Sequence, residues 1–120
     1  MKIVDRKTFL ALPSGAIFQK FSPNTFGELE ALYESWGHVN DYISSALTTE
    51  VDCDDISEKE DLIEASVDNG ESFDMHFYTT VRDASFDSEQ KFAVWERKDV
   101  EGLIARLQRS LEEAYPEDSQ

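Results

Sequence analysis

Phe73-Asp74-Met75-His76-Phe77-Tyr78-Thr79-Thr80-Val81 and, after a short polar interval, Lys91-Phe92-Ala93-Val94-Trp95-Glu96-Arg97 are the two runs that decide the fold. In the first, Phe73, Met75, Phe77, Thr79 and Val81 alternate with Asp74, His76, Tyr78 and Thr80. Alternation with a period of two sends one set of side chains to a core face and the other set to the opposite face, the pattern of a β-strand. The second run is rich in aromatic and β-branched residues, which favour a pleated, half-buried surface. The period then changes. Val100, Leu103, Ile104, Leu107, Leu111 and Ala114 recur at the i, i+3, i+4, i+7 spacing of an amphipathic helix. Asp99 is its expected N-cap and Pro116 its terminator.

Working back from these runs, Ser57 and Glu60 fit a capping box for a helix over residues 57–68. Leu62, Ile63, Ser66 and Val67 form its inner stripe, and Asn69-Gly70 supplies the stop. Residues 26–36 have two readings. Phe26, Leu29, Leu32, Tyr33 and Trp36 recur at helical spacing, whereas Leu29, Ala31 and Tyr33 against Glu28, Glu30 and Glu34 alternate as a strand. The strand is preferred because it gives residues 16–21 a hairpin partner, without which that strand has no ladder to join. Residues 42–47 are ambiguous in the same way and are read as a strand. Lys2-Ile3-Val4 is expected at a sheet edge. Asp5 is expected to cap a short helix over 6–12, held by Phe9 and Leu12, although Arg6 and Lys7 oppose its dipole. The expected architecture is α+β: an antiparallel sheet of four or five strands with two main helices packed on it. One domain is expected over residues 1–115, with a frayed tail at 116–120. Met75, Phe77, Val94, Leu103, Ile104 and Leu107 are expected to be buried together.

Charge narrows the function classes. Twenty-six acidic residues face eleven basic ones in 120 residues, a formal net charge of -15. Such a chain is repelled by the phosphate backbone and by anionic membranes. Its natural complement is a basic protein surface. Cys53 is the only cysteine, so no internal disulfide can form, which fits a reducing cytoplasm. The first residues lack the apolar run of a signal peptide, and no window reaches the roughly 18 apolar residues of a membrane span. A cytoplasmic protein is expected.

The acids are not spread evenly. Residues 50–74 hold eleven acids against Lys59 alone, a net charge of -10 out of the total -15. Asp54, Asp55, Glu58, Asp61, Glu64 and Asp68 form the densest run and are the candidate partner-binding residues. On a helix, like charges three and four residues apart cost a few tenths of a kcal/mol per pair. A binding ridge explains that arrangement; a solvated face on an acidic protein explains it too.

The remaining motifs are weaker. Asp52 to Asp55 and Asp83 to Glu89 offer oxygen ligands at alternating positions. The second run, however, has Ser88 where a calcium loop needs Gly and Val94 where it needs Glu. Cys53, with His38 or His76 as base, is a conceivable nucleophile, but its flanking Asp residues disfavour the thiolate. Trp36, Tyr33 and Tyr42 fit either an interaction patch or core packing. No phosphate loop, zinc motif or nucleophile elbow is present. The expectation is therefore a non-enzyme with no cofactor and no metal site.

The opening Met1-Lys2-Ile3-Val4-Asp5-Arg6-Lys7-Thr8-Phe9-Leu10-Ala11-Leu12-Pro13-Ser14-Gly15, together with Phe92-Ala93-Val94-Trp95-Glu96 followed by Asp99-Val100, resembles small acidic proteins encoded by bacteriophages and prophages. The resemblance carries no catalytic motif and transfers no functional residue. It implies a phage origin. Small acidic phage proteins include inhibitors of host defence of the anti-restriction and anti-CRISPR types, some of which mimic DNA; this is an analogy of class. The expected function is a non-enzymatic phage accessory protein that binds and inhibits a host protein through its acidic surface, as a DNA mimic directed at a nucleic-acid-binding defence component. The alternatives are a structural or regulatory phage protein that acts by protein contact without mimicry, and a small metal-dependent enzyme.

Overall fold

The computed structural model describes residues 1–48 and 50–117. The last three residues of the expected tail lie outside the described residues. The elements in chain order are β1 (Lys2–Val4), α1 (Arg6–Leu10), β2 (Ile17–Ser22), β3 (Thr25–Phe26), β4 (Glu30–Trp36), a 3-10 turn (Gly37–Val39), β5 (Asp41–Ala46), α2 (Ile56–Asn69), β6 (Thr80–Arg82), β7 (Lys91–Val94) and α3 (Arg97–Ala114). The strands form one antiparallel sheet in the order β1-β7-β2-β4-β5-β6, with β3 also paired to β2. The class is α+β as expected, but the sheet is larger than four or five strands.

The hairpin that decided residues 26–36 is present, in two pieces. Phe21 lies opposite Phe26 and Ser22 opposite Thr25, around a turn in which Asn24 has a φ of 66°. Asn tolerates this left-handed conformation better than most residues. Farther along, Ile17 faces Ala31 and Phe18 faces Glu30, a register shifted by one residue. The shift follows Gly27, whose N–H donates to the Lys20 carbonyl at 2.8 Å. A Cβ at residue 27 would stand 3.2 Å from that oxygen, so glycine permits the close approach. A second irregularity, between Leu32 and Glu34 in the β4–β5 ladder, turns Tyr33 out to solvent.

The two runs that open the sequence are not neighbours. β7 lies between β1 and β2, whereas β6 lies at the far edge beside β5. Of the expected strand over 73–81 only Thr80 and Val81 join the sheet, in β6 together with Arg82, with one isolated bridge between Met75 and Val51. Between them the His76 Nδ1 accepts the Tyr78 N–H at 3.0 Å, a local turn that removes that donor from any ladder.

The core is aromatic and small. Phe9 of α1 stacks on Phe92 of β7 at 3.9 Å between centroids and meets Phe18 and Tyr42 edge-on at 4.6 and 4.9 Å. Leu10 and Leu32 complete it, with Val4, Leu12, Ala16 and Val94 around its margin. The expected cluster of Met75, Phe77, Val94, Leu103, Ile104 and Leu107 does not form. Met75, Phe77, Ile104 and Leu107 are exposed, and only Val94 touches the core. The reason is that the five-residue α1 already closes the aromatic face. Neither α2 nor α3 contains a buried residue. The chain is accordingly drawn out: its radius of gyration is 17.2 Å, against about 13–14 Å for a compact chain of this length.

Phe9→Ala is expected to destabilise the fold by ~3–5 kcal/mol in urea titration, because it empties the centre of the core. Val67→Ala on the exposed face of α2 should change stability by less than about 0.5 kcal/mol. A loss under about 1 kcal/mol for Phe9→Ala would remove that residue from the core role assigned to it.

Candidate functional site

The acidic helix is built by its own charges. Asp55 is the N-cap of α2 and accepts the Glu58 N–H at 2.8 Å, while the Glu58 carboxylate accepts the Asp54 N–H at 3.4 Å. The expected Ser57 cap is thus displaced by two residues to Asp55, and the reciprocal bond of a capping box is replaced by the one that Glu58 accepts from the Asp54 N–H, one residue before the cap. The Asp55–Glu58 pair has the same spacing and puts a carboxylate at the positive end of the helix dipole. Gly70 closes the other end with a φ of 72°, donating its N–H to the Ser66 carbonyl. At roughly 100° per residue, Glu58, Asp61, Glu64 and Asp68 fall within about 120° of one another around the axis. They rise over roughly 15 Å of helix. Asp54 and Asp55 continue the ridge past its start. All six side chains are exposed. Among the described residues none of the six forms an ion pair.

A second polar cluster, which the sequence did not disclose, lies on the core face of the sheet. Arg6, only 2% exposed, donates from Nε to the Asn40 Oδ1 and from Nη2 to the Asn40 carbonyl, both at 2.7 Å. The same Nη2 reaches the Asp83 carboxylate at 3.1 Å. Asp83 also accepts from Lys20 Nζ at 3.0 Å, Ser85 Oγ at 2.6 Å and the Tyr42 hydroxyl at 3.3 Å. Burial alone would raise the Asp83 carboxyl, but Ser85, Lys20 and Arg6 outweigh it and hold it well below the usual carboxylate range. Burial pushes the Tyr42 phenol up, and the Asp83 charge adds to that. Asp41, fully buried beside this cluster, is likewise opposed by burial. It is held below its usual range by Arg82 and by the Ala84 and Tyr42 N–H groups. The signal in the sequence was Arg6 itself, a cation placed against the dipole of a short helix. It is there for its partners on other elements.

The other candidate residues are dispersed. Asp83 of the expected cation-ligand run is fully engaged by cations and hydroxyls, and Asp87 accepts the Glu89 N–H at 3.0 Å. Among the described residues no three His, Cys, Asp or Glu side chains gather where they would hold a metal ion. Tyr42 belongs to the core, Trp36 is half-buried and Tyr33 is exposed, so the three do not form one patch. A hollow of about 330 Å³ lies beside α1, lined by Asp5, Arg6, Lys7, Leu10, Gly37, Asn40 and Ser88. No described helix is long and apolar enough to cross a membrane. Comparison with protein-family models, curated proteins and solved structures finds no match to this chain.

The Asp83 carboxyl has a lower value in the folded chain than in the unfolded one. It therefore stabilises the fold above the unfolded value of about 4, and this contribution is lost as pH falls through that value and below it. Asp83→Asn should cost ~3–5 kcal/mol at pH 7, since it leaves Arg6 buried without its counter-charge. It should also flatten the loss of stability below about pH 4. Urea titrations of both proteins from pH 7 to pH 3 check this; parallel pH profiles would show that the acid sensitivity resides elsewhere.

Proposed function

We propose that this protein is a non-enzymatic phage accessory protein that works in the bacterial cytoplasm by occupying a basic surface of a host protein, in the manner of a DNA mimic. The observation that carries this reading is the ridge of six exposed carboxylates at α2, none of them ion-paired among the described residues. Charge density favours the comparison with nucleic acid. From Glu58 to Asp68 five acids and one lysine leave a net charge of -4. Over a rise of roughly 15 Å that is about one charge per 4 Å, close to the roughly 3.4 Å per phosphate along one DNA strand. A groove that binds a strand by releasing its counterions would find a comparable field here. Lys and Arg side chains that normally hold phosphates would pair with Asp61, Glu64 and Asp68. The same charge opposes direct binding to nucleic acid or to an anionic membrane.

The test is affinity capture from infected cells with the unmodified protein, with Asp61→Lys/Glu64→Lys, and with Glu34→Lys/Glu89→Lys. The last pair is an equal charge change at exposed positions away from α2. The unmodified protein and the second pair should retain a nucleic-acid-binding host protein that duplex DNA displaces, and the ridge pair should lose it with an unchanged circular dichroism spectrum. Captured partner should fall as salt rises, because the attraction is screened over a Debye length of about 10 Å at 0.1 M. Equal loss in both variants would assign the effect to net charge. Retention by both would assign binding to another surface.

A further inference from the structure

We infer that the hollow beside α1 is a binding site for a small phosphate-type oxyanion. Arg6, Lys7, Asn40 and Ser88 line it, together with Asp5, around a volume of about 330 Å³. That is the small end of the roughly 300–1,000 Å³ of ligand pockets. The observation that points to an anion is the Arg6 guanidinium, which is 2% exposed. Its Nε donates to the Asn40 Oδ1, and its Nη2 to the Asn40 carbonyl and the Asp83 carboxylate. Nη1 is buried and meets no acceptor among the described residues. Of the five N–H donors of a guanidinium, the two on Nη1 are therefore left over. A buried cationic donor without an acceptor is costly. An anionic oxygen brought to it from the hollow makes a charge-assisted bond where the fold supplies none.

Charge at this place runs against the rest of the chain. Arg6 and Lys20 share Asp83, and Lys7 stands beside Asp5, so three cations face two carboxylates in a chain of net charge -15. Lys7 forms no ion pair among the described residues. The Asp5 carboxylate is engaged by the Thr8 N–H at 2.9 Å. Asp87 and Glu89, on either side of Ser88, line a different hollow, beside Phe21 and Lys91. Side chains supply this charge, and the ends of the five-residue α1 play no part in it. Ser88 adds a neutral donor: its Oγ accepts from the Asn40 Nδ2 at 3.3 Å, which leaves its own hydrogen to give. Shape separates phosphate from carboxylate. A planar carboxylate is held best on a two-nitrogen edge of a guanidinium, and in Arg6 Asn40 already occupies the Nε–Nη2 edge. The donors that remain belong to three separate groups, Arg6 Nη1, the Lys7 ammonium and the Ser88 hydroxyl. A tetrahedral oxyanion offers oxygens in several directions to meet them, and lysine serves such a group as a point charge.

Titration of the isotope-labelled full chain with inorganic phosphate, followed by NMR, tests this from about 0.1 to about 50 mM, a range that brackets millimolar affinity. Sodium chloride holds the ionic strength constant, so that screening of the net charge does not change. The expected result is a saturable shift of the Arg6 side-chain N–H signals and of the Lys7 and Ser88 amides, with weaker binding of acetate. Lys7→Gln should raise the Kd about tenfold or more, the worth of one charge-assisted hydrogen bond. Ser88→Ala should weaken binding as well. Both positions are exposed, so both variants should keep the unmodified circular dichroism spectrum. Arg6 is left in place because its loss would strip the buried Asp83 of a counter-charge. Absence of a saturable shift overturns the proposal, as does a shift that survives Lys7→Gln combined with Ser88→Ala. Acetate binding as tightly as phosphate overturns the phosphate assignment. The hollow shares no residue with the α2 ridge and the titration needs no host protein, so this inference and the proposed function fail separately.

Discussion

The buried carboxylate of Asp83 is the point at which the structure is tied together. It receives Arg6 from α1, Lys20 from β2, the Tyr42 hydroxyl from β5 and Ser85 from its own segment. Arg6 in turn grips Asn40, at the corner between the 3-10 turn and β5. Asn40 holds a φ of 52°, which suits that corner, and its amide reaches onward to the Phe86 carbonyl at 3.1 Å. A buried ion pair is weak evidence of net stability, because desolvation offsets the attraction. Its effect here is positional: satisfying Asp83 requires α1 to lie across the sheet, and that placement delivers Phe9 to Phe92, Phe18 and Tyr42.

That arrangement also governs the distribution of surface charge. Arg6, Lys20 and Arg82 are held by Asp83 and Asp41. Arg97 and Arg109 are held by Glu101 and Glu113 along α3. None of these cations reaches α2. The ion-paired bases lie where burial makes an unpaired carboxylate expensive, or along α3, and among the described residues none of them pairs with the six exposed carboxylates of the ridge, which water screens. The ridge is therefore a consequence of how few bases the sequence has and where the fold uses them.

The small core has a second consequence. A five-residue helix suffices to cover the aromatic face, so the two long helices extend from the sheet instead of roofing it. This gives the molecule two differently charged helices in exposed positions. One carries a dense negative ridge and the other a neutral apolar stripe. The proposed function rests on the ridge.

The sequence by itself determined whatever depends on short-range periodicity and on charge count. The α+β class, the cap at Asp55 to within two residues, the amphipathic face of α3 and the acidity of α2 follow from neighbours along the chain, whereas periodicity left residues 26–36 and 42–47 open between helix and strand, and the pairing of Glu30–Trp36 with Asp41–Ala46 decided them. Burial was decided only in three dimensions. Leu107 and Ile104 have the spacing of core residues, yet stay exposed because α1 occupies the face they would cover. Phe77 alternates as a strand residue should, yet His76 turns the backbone out of the ladder. Arg6 looked misplaced in its helix because its partners, Asn40 and Asp83, lie 34 and 77 residues away. Periodicity tells which side of an element is apolar; which other element arrives to bury it is fixed by contacts distant in sequence, and those no local pattern encodes.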